Sequence, residues 1–460
     1  MQGSFLKEKG VFRITQTILV VSFGFLLAGC AALPKLQALV DSMANANDYD
    51  AAIKTLKEDA NLYGKNNQLL YLLDKAYLEH LNRDYEKSIE TFDKAKRKFD
   101  ELYTKSLSKI AATWLANDYS APYAGEDFEQ VFINIFQALN YFMLGNLEDA
   151  LVEARDVDSK LNAINNQYDD TKKNVYKEDA FARLLTGIIY EAAGKKEDLN
   201  NAFIAYIKAE IIYERDYKNN YGALVPAVLK ENLLTVSRFM GLSDFSKYRE
   251  KYPEIKFISL EEKKQKAEVY LIQYNGLCPV KIEEALAVPM PDGYVVKVAF
   301  PAYRRREYGI ASSRFLAKNA RGEVDICETS VGQPVGEIAI GDLARKKLRF
   351  IAKTTAKAAA RYAIEKKQEE SIVKKFGNVP AGWFRFVSSL YNTMVEQADL
   401  RSWRILPDEI RICRILLLPG EYEFRAENFS THGSNLGEYT LGKYAVAAGQ
   451  KKVFVLHTAR

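Results

Sequence analysis

The hydrophobic periodicity of this 460-residue chain changes at Pro253, and the change limits what each half can become. From about Leu36 to Met240 prolines are few, and apolar residues recur at spacings of three and four, the period of amphipathic helices. Beyond Pro253, short stretches rich in β-branched and aromatic residues lie between Gly, Pro and Asn, as strands do. The reading is an α+β multidomain protein. An all-α half covers 30–255 and a β-sandwich-like half covers 265–460, with helices inserted at about 341–400.

Within the helical half, one segment runs Ala138-Leu139-Asn140-Tyr141-Phe142-Met143-Leu144-Gly145-Asn146-Leu147-Glu148-Asp149-Ala150. Tyr141, Gly145 and Ala150 stand where the tetratricopeptide motif, a helix–turn–helix unit of about 34 residues, places them. Asp84-Tyr85-Glu86-Lys87-Ser88-Ile89 with Phe92 and Ala95 resembles a second copy, with Ser88 in the small position. Gly187, Tyr190 and Gly194, followed by Ala202, Tyr206 and Ala209, resemble a third. A tetratricopeptide-like solenoid would leave a concave face for partner proteins. An unrelated helical bundle is the alternative. Tyr63, Tyr71, Tyr77, Tyr119, Tyr123, Tyr168 and Tyr213 suit an interface, although packing between repeats accounts for any one of them.

In the second half, strands are expected at 268–274, 295–300, 311–317, 323–328, 409–418, 422–428, 443–447 and 451–457. A long helix is expected from an N-cap at Gly341-Asp342 to about Lys375, and another from Trp383 to Gln397. The Leu418-Pro419-Gly420-Glu421-Tyr422 and Ala448-Gly449-Gln450 turns resemble those of the small envelope sandwich modules called PEGA domains.

At the start, Lys7, Lys9 and Arg13 precede an apolar run from Ile18 to Ala28, which ends in Leu27-Ala28-Gly29-Cys30. The run would rise roughly 16 Å as a helix, about half a hydrocarbon core, so it does not span unaided. Its pattern resembles a bacterial lipoprotein signal over 1–29, which implies acylation of Cys30 and, with Ala31 after it, an outer-membrane anchor facing the periplasm. An ordinary signal peptide, or an uncleaved anchor, that happens to end in cysteine is the alternative.

Two further stretches, Tyr274-Asn275-Gly276-Leu277-Cys278-Pro279-Val280-Lys281 and Arg401-Ser402-Trp403-Arg404-Ile405-Leu406-Pro407-Asp408-Glu409-Ile410, carry a resemblance together with Leu418-Pro419-Gly420. The chain resembles an uncharacterised family of bacterial envelope lipoproteins, with tetratricopeptide-like repeats before a β-rich, PEGA-like domain. That family supplies no catalytic residues to carry over.

The chemistry of common enzymes is sparse. The three histidines, His80, His432 and His457, lie far apart in sequence, and there is no HExxH, P-loop or GxSxG. No catalytic, cofactor or metal residues are assigned. The Asn428–Ser434 loop, with Ser430, His432 and Ser434, reads as a turn. Residues 30–460 carry +3 of the chain's +5 charge, which does not call for nucleic acid. Besides Cys30, Cys278, Cys327 and Cys413 read first as buried thiols, with a Cys278–Cys327 disulfide as the alternative.

Candidate partner contacts are Arg349, Lys353, Lys357 and Arg361, which recur every fourth residue on one helix, and Trp403 between Arg401 and Arg404. For the basic stripe the competing account is a solvated face whose stems cover a sheet, and for Trp403 it is a lock between the inserted helices and the sheet. The expected function is a non-enzymatic, lipid-anchored periplasmic scaffold, without cofactors, whose repeats bind envelope proteins during assembly or export. The alternative is an envelope hydrolase or carbohydrate-binding protein with its site in the β-rich half.

Overall fold

The computed structural model describes residues 32–109, 121–166, 176–289, 295–376 and 397–459. Helices come first: α1 (Ala32–Asn45), α2 (Tyr49–Glu58), α3 (Gln68–Leu81), α4 (Tyr85–Lys109), α5 (Asp127–Met143), α6 (Leu147–Asn165), α7 (Ala180–Ala193) and α8 (Lys196–Ile212). The last continues through a π-helical turn at Tyr213–Tyr217 and a helical turn at Lys218–Tyr221. Then follow α9 (Ala227–Met240), α10 (Leu242–Lys251) and α11 (Leu260–Lys264).

Consecutive helices pack in pairs, α3 on α4, α5 on α6 and α7 on α8. The sequence explains why. Between α5 and α6, Gly145 takes φ +78°, a left-handed conformation that favours glycine. The Asn146 side chain then caps α6 by accepting from the Asp149 amide, and fully buried Ala150 permits close approach. In α7 a side chain at Gly187 would meet the Tyr206 ring of α8 at 2.2 Å, so glycine sets that spacing.

The strands are β1 (Ala267–Asn275), β2 (Val280–Pro289), β3 (Val295–Arg304), β4 (Ser312–Asn319), β5 (Val324–Glu328) and β6 (Ser330–Gln333). After α12 (Val335–Phe376) come β7 (Glu409–Leu417), β8 (Gly420–Phe429), β9 (Asn435–Val446) and β10 (Lys451–Thr458). One sheet has the order β10-β1-β7-β6, with β10 parallel to β1 and the other neighbours antiparallel. A second has the order β5-β4-β8-β9, and β2–β3 forms a separate hairpin.

The first sheet is the middle layer. Val269 and Leu271 of β1, with Cys413 and Ile415 of β7, pack against Phe315 and Phe424 of the second sheet. The alternate residues Tyr270, Ile272, Tyr274, Ile410 and Ile412 turn the other way, into one core with the helices. A period of two thus gives β1 two buried faces, and every residue of the strand is buried.

Several expectations change. The long helix starts at Val335, because Pro334 lies just before it and Gly341 is tolerated inside it; Asp342 is 4% exposed and bonds Lys346 rather than capping a terminus. The helical insertion therefore opens about six residues before the expected 341. Strands β2 and β6 were not expected, and β9 begins at Asn435 rather than 443. The Trp383–Gln397 helix and the leader with Cys30 lie outside the described residues, apart from Gln397 itself.

Cysteine pairing differs as well. Cys327 on β5 is bonded to Cys413 on β7, Cα atoms 6.1 Å apart, joining the two sheets. Cys278 remains a buried free thiol, because it lies in the helix-facing core on the other side of β1.

Candidate functional site

The two distinctive stretches, far apart in sequence, run side by side where β1 ends and β7 begins. The Cys278 amide donates to the Leu406 carbonyl at 2.7 Å, and the Asp408 amide donates to the Asn275 carbonyl at 3.0 Å. The Asn275 side chain donates to Glu409 Oε1 at 2.8 Å. Gly276, at φ +67°, lets the Tyr308 ring lie directly over it. The Tyr308 hydroxyl then donates to Asp408 Oδ2 at 2.8 Å.

This junction forms the floor of a cleft of 640 Å³, within the range of ligand sites. The segment from Tyr221 to Ala227, between α8 and α9, makes one wall, and Leu224 stands 64% exposed on it. Ser330 and Val331 of the outer strand β6 make the opposite wall, with Pro334 and Glu337 at the start of α12. Lys230 of α9 also lines the cleft, its ammonium 5.2 Å from the centre of the Tyr252 ring, and other charged groups there pair with one another. Arg305 bonds Glu337 at 2.5 Å, and Arg411 bonds Glu409 at 2.7 Å while also donating to Thr329. Burial pushes the Asp408 carboxyl up to about 6; the Tyr308 hydrogen bond draws it down and Glu409 adds to the rise.

The same stretches hold the sheet to the helices. Trp403 is 1% exposed, its ring 6.0 Å from Tyr77, 6.0 Å from Phe92 and 5.9 Å from Phe136. Its amide donates to Glu129 Oε1 at 2.7 Å. Trp403 is therefore an internal anchor, not an exposed partner contact. The Tyr274 hydroxyl meets buried His80 Nε2 at 2.7 Å, while His80 Nδ1 lies 2.5 Å from Asn140 Oδ1. Neutral His80 with its proton on Nδ1 satisfies both partners. Asn140 donates in turn to Ser88, whose hydroxyl donates to the Ala76 carbonyl.

A second junction carries charge. Lys281 on β2 and Lys346 on α12 both bond Glu126 at the start of α5. Burial opposes ionisation of Glu126, yet the two lysines hold its carboxyl down at about 2. A third gathers Lys263, Lys451 and Arg414 around Glu268 and reaches Glu191 of α7 and Glu231 of α9. All three cations are under 10% exposed and all face carboxylates, as buried charges must.

Of the helical stripe, Lys357 is 4% exposed and so is not presented to a partner; the side chains of Arg349, Lys353 and Arg361 lie outside the described residues. Earlier on α12, Lys347 reaches Glu284 at 3.0 Å, in keeping with a basic helix covering the chain's own acidic strand. Tyr63, Tyr77, Tyr123 and Tyr213 are buried, as packing requires, and Tyr71 partly so; Tyr119 and Tyr168 lie outside the described residues. Ser430 Oγ accepts the His432 and Ser434 amides of its own turn. Among the described residues, no group of three or more His, Cys, Asp or Glu is placed to hold a metal, and no helix is long and apolar enough to cross a membrane.

The cleft residues Tyr221, Leu224, Arg305, Tyr308, Val331 and Glu337 escape sequence reasoning, because no local pattern brings them together. The only signal was indirect: Asn275-Gly276 and Asp408-Glu409 belong to the two distinctive stretches. No protein-family model matches the chain, and a search of curated proteins finds no match.

Proposed function

We propose that this protein is a non-enzymatic adaptor, held by an acylated Cys30 on the periplasmic face of the outer membrane and binding protein partners in envelope assembly or export. The sequence Leu27-Ala28-Gly29-Cys30 supports the anchor. The paired helices with their Gly145 turn support a tetratricopeptide-like array. The observation that carries the binding reading is the cleft between the Tyr221–Ala227 segment and the sheet edge, a concavity lined by both halves. The face of the helices that meets β1 is filled by the chain's own Tyr270, Ile272 and Tyr274, so partners would use the cleft or the outward surface.

Anchoring raises the local concentration of adaptor at the membrane without a new contact. The test compares wild type with Cys30→Ser in membrane fractions and in pull-downs of the intact protein from solubilised envelopes. The wild type should fractionate with the outer membrane and retain a specific partner, and Cys30→Ser should leave the membrane. Identical fractionation of the two, or no partner at all, overturns the reading. Asp408, titrating near 6 beside Glu409, favours a second reading, a hydrolase or carbohydrate-binding protein. Loss of glycan cleavage or binding in Asp408→Asn would support that one.

A further inference from the structure

We infer that β5 is an interface for a second copy of this chain, the two strands running antiparallel about a two-fold axis at Ile326; this goes beyond the adaptor reading and does not depend on it.

Which side of β5 is free follows from its ladder. The Thr329 amide donates to the Ser313 carbonyl at 2.9 Å, and the Asn319 amide to the Glu323 carbonyl at 3.0 Å. Both bonds fall on the β4–β5 register, so residues 323, 325, 327 and 329 turn their main-chain groups toward β4. Those of Val324, Ile326 and Glu328 therefore point outward, where β5 has no neighbouring strand. Among the described residues, none bonds them.

The other sheet edges are guarded. β6 carries a bulge, β9 slips register twice, and no residue of β10 is exposed. In the hairpin, β2 ends on Pro289 and β3 contains Pro301. Such features blunt an edge against pairing. β5 has no proline, glycine, lysine or bulge, and it leaves Val324 45% and Ile326 56% exposed. An edge this open is a template for another strand.

Charge and register select a second copy as that strand. Pairing about Ile326 sets Val324 opposite Glu328 and Asp325 opposite Cys327, so no two carboxylates meet. The pairs Val324–Glu328 and Ile326–Ile326 each exchange both of their main-chain bonds. On the outer face Leu316 of β4 lies beside Ile326. The row across the axis thus reads Leu316, Ile326, Ile326, Leu316, an unbroken aliphatic strip. A register centred on Asp325 would instead press two carboxylates together. A basic partner strand would find Glu328 already matched, since Arg314 holds it at 3.1 Å.

The test is sedimentation velocity of the full protein, purified in a detergent matched to the buffer in density. Wild type should form reversible dimers whose share rises with concentration. Ile326→Lys and Ile326→Glu each set like charges against themselves across the axis, and each should self-associate at least about tenfold more weakly. The site is exposed, so both variants should fold, which circular dichroism and melting temperature verify. Mixed together, they should pair with one another and restore the dimer. Amides of Val324, Ile326 and Glu328 should exchange more slowly in the dimer. A wild type that stays monomeric, variants that dimerise as it does, or a mixture that restores nothing overturns the proposal. So does a monomeric protein whose captured partner is lost in Ile326→Lys, which would give the edge to another protein. A dimer that obeys the charge swap while pull-downs retain no partner supports this inference and defeats the adaptor reading alone.

Discussion

His80 shows how one side chain carries stability that depends on pH. It is 1% exposed, and burial draws its imidazole down from 6.5 to about 4. An unfolded chain therefore takes up a proton here at a higher pH than the folded one does. The stabilisation is complete above about 6.5 and is lost as pH falls toward 4. His457 is lowered to about 4 in the same way, which adds to the loss. We expect denaturant titrations of wild type to show falling stability between pH 6.5 and 4, on the order of 3 kcal/mol from each histidine at the acid limit. His80→Phe should be less stable at neutral pH by about 2 kcal/mol, since Asn140 and Tyr274 lose their partner. Its acid loss should be shallower. Parallel pH curves for the two proteins would remove His80 from the account.

At the scale of single elements, the 401–408 segment and β5 are held by different means. Trp403→Ala removes the ring that Tyr77, Phe92 and Phe136 enclose, and we expect a loss of about 3–5 kcal/mol, read as a lower denaturant midpoint. The β5–β7 disulfide closes a loop with a sequence separation of 86. Replacing Cys327 and Cys413 with Ala should cost about 4 kcal/mol, and wild type under a reductant should approach the variant's midpoint. Identical midpoints with and without reductant would contradict this.

Which elements were legible follows from the same physics. Strand β8 announces itself because burial on one side makes an alternation, β7 because burial on both sides makes a run rich in Ile and Leu, and the turn at Asn319–Gly322 through its Asn and Gly. In β2, preceded by Pro279 and ending on Pro289, Glu283-Glu284 breaks the alternation; β9 is exposed along most of its length and carries Gly437 and Gly442. Such strands leave little hydrophobic pattern to read. Trp403 stood out between Arg401 and Arg404 as a partner contact, but that its contacts are internal was not legible, since Glu129 and Tyr77 lie in another half of the chain.

For the whole molecule, the helices and the middle sheet share one core, reaching from Leu33 of α1 to Ile412 of β7, and the second sheet packs on the other face of that same sheet. We therefore expect one cooperative unfolding transition, with calorimetric and van't Hoff enthalpies in agreement. An isolated 31–264 piece should expose the surfaces around Tyr77 and Phe136 and bind a hydrophobic dye, with poor near-ultraviolet dichroism. Two separate transitions, or a well-packed fragment, would show the halves to be independent. The periodicity change at Pro253 marked where helices give way to strands but carried no sign that the two share an interior.

Strand β10 has a bearing on biogenesis. It supplies one flank of β1 in parallel, and Gln273 bonds Thr458, 185 residues further along. The surface against which the helices settle is incomplete until that distant piece arrives. A protein threaded through a membrane from its amino end would thus stay pliable for nearly its whole passage, assembling only once its last strand has emerged.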